Sequence, residues 1–227
     1  MQQEPTIPQN RPEITSHNLP EMPKPDDVDK SNEKKKEGWK SILSTIAIVI
    51  SAPIIALVLI NFVFQSYEVD GPSMEQTLQN SDRLIVWKVP KTIAKITGND
   101  YIPNRGDIII FTKHGTYDEF EGGDKQLIKR VIGLPGDRVV VSNGKVTVYN
   151  DSNPDGFDPD ASLKASEQNV SHTSGNVDIT VNEDEVFVLG DHRSNSLDSR
   201  VFGSIKAHDI VGKLEFRIYP FSTFKHF

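Results

Sequence analysis

The chain has 227 residues, enough for one ordinary domain plus an appendage, and its 36% apolar and 25% charged residues, with a mean hydropathy of -0.41, form a soluble-looking average that conceals a segregated sequence. A net charge of -7 offers no clustered cationic face for a phosphate backbone, which argues against nucleic-acid binding. Zero cysteines exclude disulfide staples, thiolate metal sites and a cysteine nucleophile, and they permit an oxidising compartment without requiring one.

Residues 1–40 hold six of the 14 prolines, eight acidic and seven basic residues, and almost no periodic apolar positions. Such a segment buries too little surface to offset ordering entropy, so it is predicted to be a disordered tail. A lysine cluster, Lys30, Lys34, Lys35, Lys36 and Lys40, stands directly before the next segment. From 41 to 64 there are 24 residues without a charge, which as a helix would measure about 36 Å against a hydrocarbon core of about 30 Å. One transmembrane helix over 41–65 is predicted, with Pro53 tolerated mid-span. The run ends in Asn61-Phe62-Val63-Phe64-Gln65, without a small-x-small cleavage site, so the anchor is expected to be retained. Lysines flank only its N-terminal side, and the first charges beyond it are Glu68, Asp70 and Glu75. The positive-inside rule then places the tail in the cytoplasm and residues 66–227 outside.

That remaining stretch alternates short β-rich runs with Gly, Pro, Asn and Asp punctuation and reads as mainly β. Strands are predicted at 83–89, 107–112, 126–132, 138–141, 145–149, 177–181, 185–189 and 210–219. Asn143-Gly144, between two alternating runs, supplies the positive-φ pair of a type I′ hairpin. A polar segment at 151–176 is read as a surface loop.

Three clusters combine turn residues with reactive ones: VDGPSMEQTL at 69–78, KRVIGLPGD at 129–137 and GDHRSNSLDSR at 190–200. Ser73 follows a Gly-Pro turn; it could be a nucleophile, although such a turn serves as readily to cap a helix or close a loop. Alternation puts Lys129 with Leu127 and Val131 on one strand face and Arg130 with Ile128 and Ile132 on the other. Burial disfavours a charged lysine, which can become a base near neutrality, whereas an arginine cannot. A neutral amine beside a hydroxyl activates serine without histidine; a lysine that snorkels from a strand edge is the alternative. The third cluster suits a turn held by carboxylate–guanidinium bonds. His192 beside Asp191 invites a Ser-His-Asp triad, but adjacent residues of an extended chain point apart. The other histidines lack metal-ligand spacing, so neither a metal nor a cofactor is expected.

Together, the single anchor, Ser-Met soon after it, the strand ending KRVIGLPGD and the late Gly-Asp-x-Arg-x-x-Ser-x-Asp-Ser-Arg resemble the type I signal peptidases, in motif order and spacing, from about residue 41 to 219. The short insert and single span look like the Gram-positive members. The resemblance implies a signal-peptidase-like fold of antiparallel sheets and a membrane-bound serine endopeptidase. Its substrates would be preproteins, cut after small-x-small sites by a Ser-Lys dyad at the surface of the bilayer that tethers it; the sequence does not give an oligomeric state, and a monomer is assumed. It also implies Ser73 as nucleophile and Lys129 as general base. Ser196 falls on the position that orients the lysine amine, Asp198 and Arg200 on the pair that braces that loop, and Arg130 in a supporting place. Val69, Met74, Leu78 and Ile128 are expected to line apolar substrate pockets, and an exposed apolar patch is expected to run from Val69 to Phe62–Phe64. Three positions depart from the family pattern: Gly71 lacks a second oxyanion hydroxyl, Gln76 replaces a proline and His192 an asparagine. The residues alone leave open a non-catalytic anchored β domain and another type of Ser-Lys peptidase.

Overall fold

A computed structural model describes residues 25–115, 123–163 and 172–227. It opens with helix α1, Pro25–Val58, followed by a π-helical turn, Leu59–Val63. Trp39–Val63 is one helical run long and apolar enough to cross a membrane. A core helix would hide one face, yet Ile42, Ile46, Val49 and Ile54 are all exposed. Two boundaries differ from expectation. Residues 25–40, assigned by composition to the tail, are helical; Pro25 opens the helix, where a fixed φ and a missing N–H cost nothing. The remainder of the predicted tail, 1–24, lies outside the described residues. At the other end the helix stops at Val63, because Phe64 is already extended and begins a strand.

The unit Ile55–Phe227 is built on two antiparallel sheets. The first contains β1 (Phe64–Glu68), β2 (Arg83–Trp87), β3 (Ile108–Lys113), β4 (Lys125–Gly133), β9 (Glu185–Leu189), β10 (Ile205–Lys206), β11 (Ile210–Tyr219) and β12 (Lys225–His226), in the order β1-β2-β11-β3-β4-β9-β10 with β12 on β11. The second orders β7 (Asn153–Phe157), β6 (Lys145–Asn150), β5 (Arg138–Ser142) and β8 (Val177–Thr180) as β7-β6-β5-β8. The β5–β6 hairpin turns on Asn143 at φ 50 and Gly144 at φ 79, the I′ pair that matches strand twist. Valines 139, 141, 146 and 148 alternate inward there and meet Ile132, Phe187 and Leu189, so this cluster joins the two sheets. A second cluster, with Ile109, Phe111, Val131 and Val188, lies under β3, β4 and β9. The third, with Val69, Met74, Leu78, Leu84, Ile108 and Leu214, lies beneath the segment after β1.

Helix α2, Val89–Thr97, was not foreseen, and it ends the predicted 83–89 strand at Trp87: Pro90 sits in its first turn and Gly98 caps it at φ 73. The 151–176 insert is also more ordered than a loop. It contains β7 and a 3-10 turn, Pro159–Ser162, entered through the Asp158 carboxylate, which accepts from Asp160 N–H; its residues 164–171 lie outside the described residues.

Candidate active site

The chain leaves β1 into a closed loop. Val69 N–H donates to the Asp82 carbonyl at 2.9 Å and Ser81 N–H returns to the Val69 carbonyl at 2.8 Å, while Gly71 N–H donates to Asn80 Oδ1 at 2.9 Å. Inside the loop, Glu75 N–H bonds the Pro72 carbonyl and Leu78 N–H the Met74 carbonyl, so Ser73 sits on successive tight turns. Met74 and Leu78 are fully buried in the cluster beneath. They plug the turn into the core and are not among the residues that line the cleft at Ser73 and Lys129, where they were expected.

Lys129 reaches the same turn from β4. It is 2% exposed, and its Nζ lies 2.8 Å from Ser73 Oγ and donates to the Ile128 carbonyl at 2.9 Å. Burial brings its pKa from 10.5 down to about 8; Asp198 and Asp191 oppose the fall and Lys125 adds to it. Next to it, Arg130 is the structural cation of the pair. Its Nε and Nη2 grip Asp191 at 2.8 and 2.7 Å, and Nη1 donates to the Gly106 carbonyl at 2.8 Å. Two adjacent cations thus have separate roles: one loses its charge readily, the other keeps its charge and is paired.

Three buried or half-buried Arg–Asp pairs converge on residues 190–200. Besides Arg130–Asp191, Arg193 holds both carboxylate oxygens of Asp160 at 2.7 Å, and Arg200 holds both of Asp198 at 2.8 Å. Asp198 also accepts from Gly190 N–H at 3.0 Å, and the Gly190 carbonyl accepts from Arg193 Nε at 3.0 Å. The glycine is required by proximity: a Cβ there would lie 2.5 Å from the Ser73 carbonyl oxygen and collide with Ser196 Oγ. His192 N–H donates to the Ser73 carbonyl at 3.1 Å, and its ring Nδ1 is 2.9 Å from Glu75 Oε2 and 3.3 Å from the Pro72 carbonyl. His192 is turned to the backbone and to Glu75, which leaves it no triad geometry with Ser73 Oγ.

Ser196 Oγ is buried without a hydrogen-bond partner among the described residues and packed against Gly190, while the lysine amine's second bond goes to the Ile128 carbonyl. Asp198 and Arg200 are bonded to each other within this loop. Gly190 and Glu75 were not singled out, although Gly190 stands in the quoted motif; Asp191 and Arg193 were read as members of a turn held by carboxylate–guanidinium bonds, and their pairs are of that kind. Asp160 carried no signal at all, since its partner is 33 residues away.

A cleft of about 280 Å³ opens on Ser73 and Lys129, lined among others by Tyr67, Val69, Leu84, Ile110, Ile128 and Leu197. Val69 and Ile128 lie in this cleft, and the remaining apolar wall comes from β1, β2, β3 and the 190–200 loop. The β9 ladder on β4 covers only Arg130 to Gly133. Residues 125–129 of β4 therefore carry no strand on that side among the described residues, next to the cleft, where an extended peptide could add.

The sequence profile of the family described as signal peptidase, peptidase S26, matches residues 42–219. Signal peptidase I P of Bacillus subtilis subsp. natto is 35% identical over 198 residues, covering 86% of this chain and 98% of its own. Signal peptidase I S of Bacillus subtilis strain 168 is 31% identical over 188 residues, covering 82% and 94%. A solved signal peptidase I from Enterococcus faecalis V583, 31% identical, aligns with 50% of this chain and 97% of its own at a TM-score of 0.37.

Proposed function

The chain belongs to the peptidase S26 family of signal peptidases, and from that premise we propose that Ser73 and Lys129 are the dyad with which this serine peptidase removes signal peptides from preproteins. The carrying observation is the 2.8 Å contact between Lys129 Nζ and Ser73 Oγ at an amine that burial holds near pKa 8, close to the operating pH a general base needs. As Oγ attacks the scissile carbonyl carbon, its proton passes to the free amine. The tetrahedral oxyanion is assigned to the Ser73 backbone N–H. Collapse breaks the C–N bond, and the lysine ammonium gives its proton to the leaving amine. Water, deprotonated by Lys129, then hydrolyses the acyl-serine. Asp198 and Arg200 support the reaction by fixing Gly190, which packs on both Ser73 and Ser196.

The substrate segment would lie extended along residues 125–129, with small side chains against Val69 and Ile128. Trp39–Val63 anchors the enzyme, the lysine cluster keeps the N-terminus in the cytoplasm, and the β unit works as a monomer on the outer face of the cell membrane. Tethering enzyme and substrate to one bilayer raises their effective concentration. In intact spheroplasts, added protease should digest the β unit without lysis; protection until lysis would reverse the orientation.

The deciding experiment is cleavage of a lipid-reconstituted preprotein bearing an Ala-x-Ala site. Wild type should cut after the second Ala, Ser73→Ala should be inert, and Lys129→Ala should fall by about 10²–10⁴-fold. Undiminished cleavage by Lys129→Ala would give the base role to another group, with His192 the next residue to substitute.

A further inference from the structure

Helix α2 is amphipathic the wrong way round for a surface helix. Val89, Ile93 and Ile96 fall at i, i+4 and i+7 and share one stripe. Two of the three face outward, Ile93 at 55% and Ile96 at 79% exposure, Val89 is half-buried, and α2 has no buried residue. Its inward side is polar: Lys91 Nζ donates to the carbonyls of Ala207 and His208 at 3.1 and 2.8 Å. A helix free in water would gain by the opposite orientation, so the exposed stripe calls for an apolar medium.

The position of α2 identifies that medium. Thr92 Oγ1 donates to the Phe62 carbonyl at 2.9 Å, and Lys88 N–H donates to the Val63 carbonyl at 2.8 Å. The helix is therefore bonded to the last turn of the apolar run, where Phe62 itself is 55% exposed. That run of 25 residues, Trp39–Val63, is about 37 Å long at 1.5 Å per residue. Its final turn thus lies where hydrocarbon gives way to headgroups. Lys95 flanks the stripe, exposed and suited to reach a headgroup phosphate while its stem stays apolar, whereas Lys88 Nζ is held by Gln65 Oε1 at 3.1 Å.

We propose that α2 lies in the interface of the bilayer that the anchor crosses, with Ile93 and Ile96 among the first acyl carbons. α2 is then a second attachment of the β unit to the bilayer. Since β1 starts at Phe64 and Ser73 follows within ten residues, this sets the height of the cleft above the membrane. The inference rests on the anchoring proposed above, and its test separates the two.

The chain contains no cysteine, so single variants Ile48→Cys in the span, Ile96→Cys on α2 and Lys145→Cys at the β5–β6 hairpin can each carry an environment-sensitive fluorophore. The full-length proteins are reconstituted in phosphatidylcholine vesicles whose acyl chains are brominated near the headgroup end, and retained preprotein cleavage shows that each is folded. The Ile96→Cys label should be blue-shifted and its emission roughly halved by the brominated lipid, because an interfacial helix sits about 5–10 Å into the headgroup–acyl boundary. The Lys145→Cys label should stay in water and open to aqueous iodide. An Ile48→Cys label quenched by lipid beside an unquenched Ile96→Cys label overturns the inference while anchoring stands. An Ile96→Cys label shielded from both lipid and iodide overturns it in favour of a second protein surface. If neither the Ile48→Cys nor the Ile96→Cys label meets lipid, anchoring and inference fall together.

Discussion

The turn that carries Ser73 and the loop behind it, residues 190–200, are held by different forces. The first rests on Met74 and Leu78 sunk in an apolar cluster and on short-range backbone bonds. The second hangs on the Arg130–Asp191, Arg193–Asp160 and Arg200–Asp198 pairs, with apolar side chains a minor part. Apolar contact is non-directional and lets a turn settle, whereas bidentate ion pairs fix direction. The loop is thus the reference frame, and the nucleophile turn is registered on it through two backbone contacts, His192 N–H to the Ser73 carbonyl and Gly190 beneath that same oxygen.

If charge holds the loop, the largest effect comes from removing half of its most buried pair. Asp191→Ala leaves the Arg130 guanidinium, 3% exposed as a side chain, without its carboxylate, and should cost about 3–5 kcal/mol in denaturant unfolding. Replacing both partners with apolar residues, Arg130→Met with Asp191→Leu, should recover most of that stability but not the cleavage rate. A single-variant cost below about 1 kcal/mol, the worth of an exposed pair, would mean that the loop is held by something else.

Gly190→Ala tests the registration itself and comes next. The new methyl would meet the Ser73 carbonyl oxygen at 2.5 Å and the Ser196 side chain, so either the turn or the loop must move. A displacement of about 1 Å at a reacting centre costs on the order of 10²-fold. The loss should fall on kcat with KM nearly unchanged, because the cleft walls from Tyr67, Leu84 and Ile110 are not touched. A KM-only effect would place Gly190 in substrate binding and break the comparison.

How much of this was legible in sequence follows from which interactions are local. Strands 185–189 and 210–219 match β9 and β11 end to end because alternation and punctuation are written within each segment. The Asn143-Gly144 turn is equally local. Lys129 drew notice because two cations in the apolar strand QLIKRVIG need a reason, yet only tertiary structure brings it 2.8 Å from a serine 56 residues earlier. The burial of Met74 and Leu78 in the core cluster was not legible, since apolar residues beside a candidate nucleophile read alike whether they face a cleft or the core. Asp160 was illegible because nothing in a polar insert says which carboxylate will meet Arg193. Helix α2 had visible signals, Pro90 and Gly98, but periodicity reports a stripe without saying which way it faces.

Lys129 bridges the two regions, and its pH behaviour sharpens the comparison further. Activity requires the free amine, so cleavage should rise with pH through about 8 and level off above it. Stability follows the same group. Below about 8 the amine is protonated in folded and unfolded chains alike, and the fold bears the cost of burying the charge. The gap from 10.5 to about 8 corresponds to about 3 kcal/mol at roughly 1.4 kcal/mol per tenfold. Lys129→Met should remove that cost but also the bonds to Ser73 and Ile128, for a net gain of about 2 kcal/mol at neutral pH. As pH climbs from 8 toward 10.5 the folded wild type sheds its proton before the unfolded chain does, its stability rises, and the advantage of the variant should fade. A gain independent of pH would assign the effect to packing.

The smallest expected effect isolates the Ser73 turn. Gln76 stands at φ 83, exposed, in the left-handed region, where a side chain with a Cβ costs about 1–2 kcal/mol. A proline here would be held at φ near -65 and could not take this turn. Gln76→Gly should relieve the strain and stabilise by about 1 kcal/mol, less the entropy glycine adds to the unfolded chain. Cleavage should not change, because Met74 and Leu78 still seat the turn and His192 still holds the Ser73 carbonyl. Gln76→Pro should instead destabilise, since the ring forbids the observed φ. If Gln76→Gly raises the unfolding midpoint yet lowers kcat, the strain at Gln76 itself aims Ser73 at Lys129, and the turn is a positioning element equal to the loop.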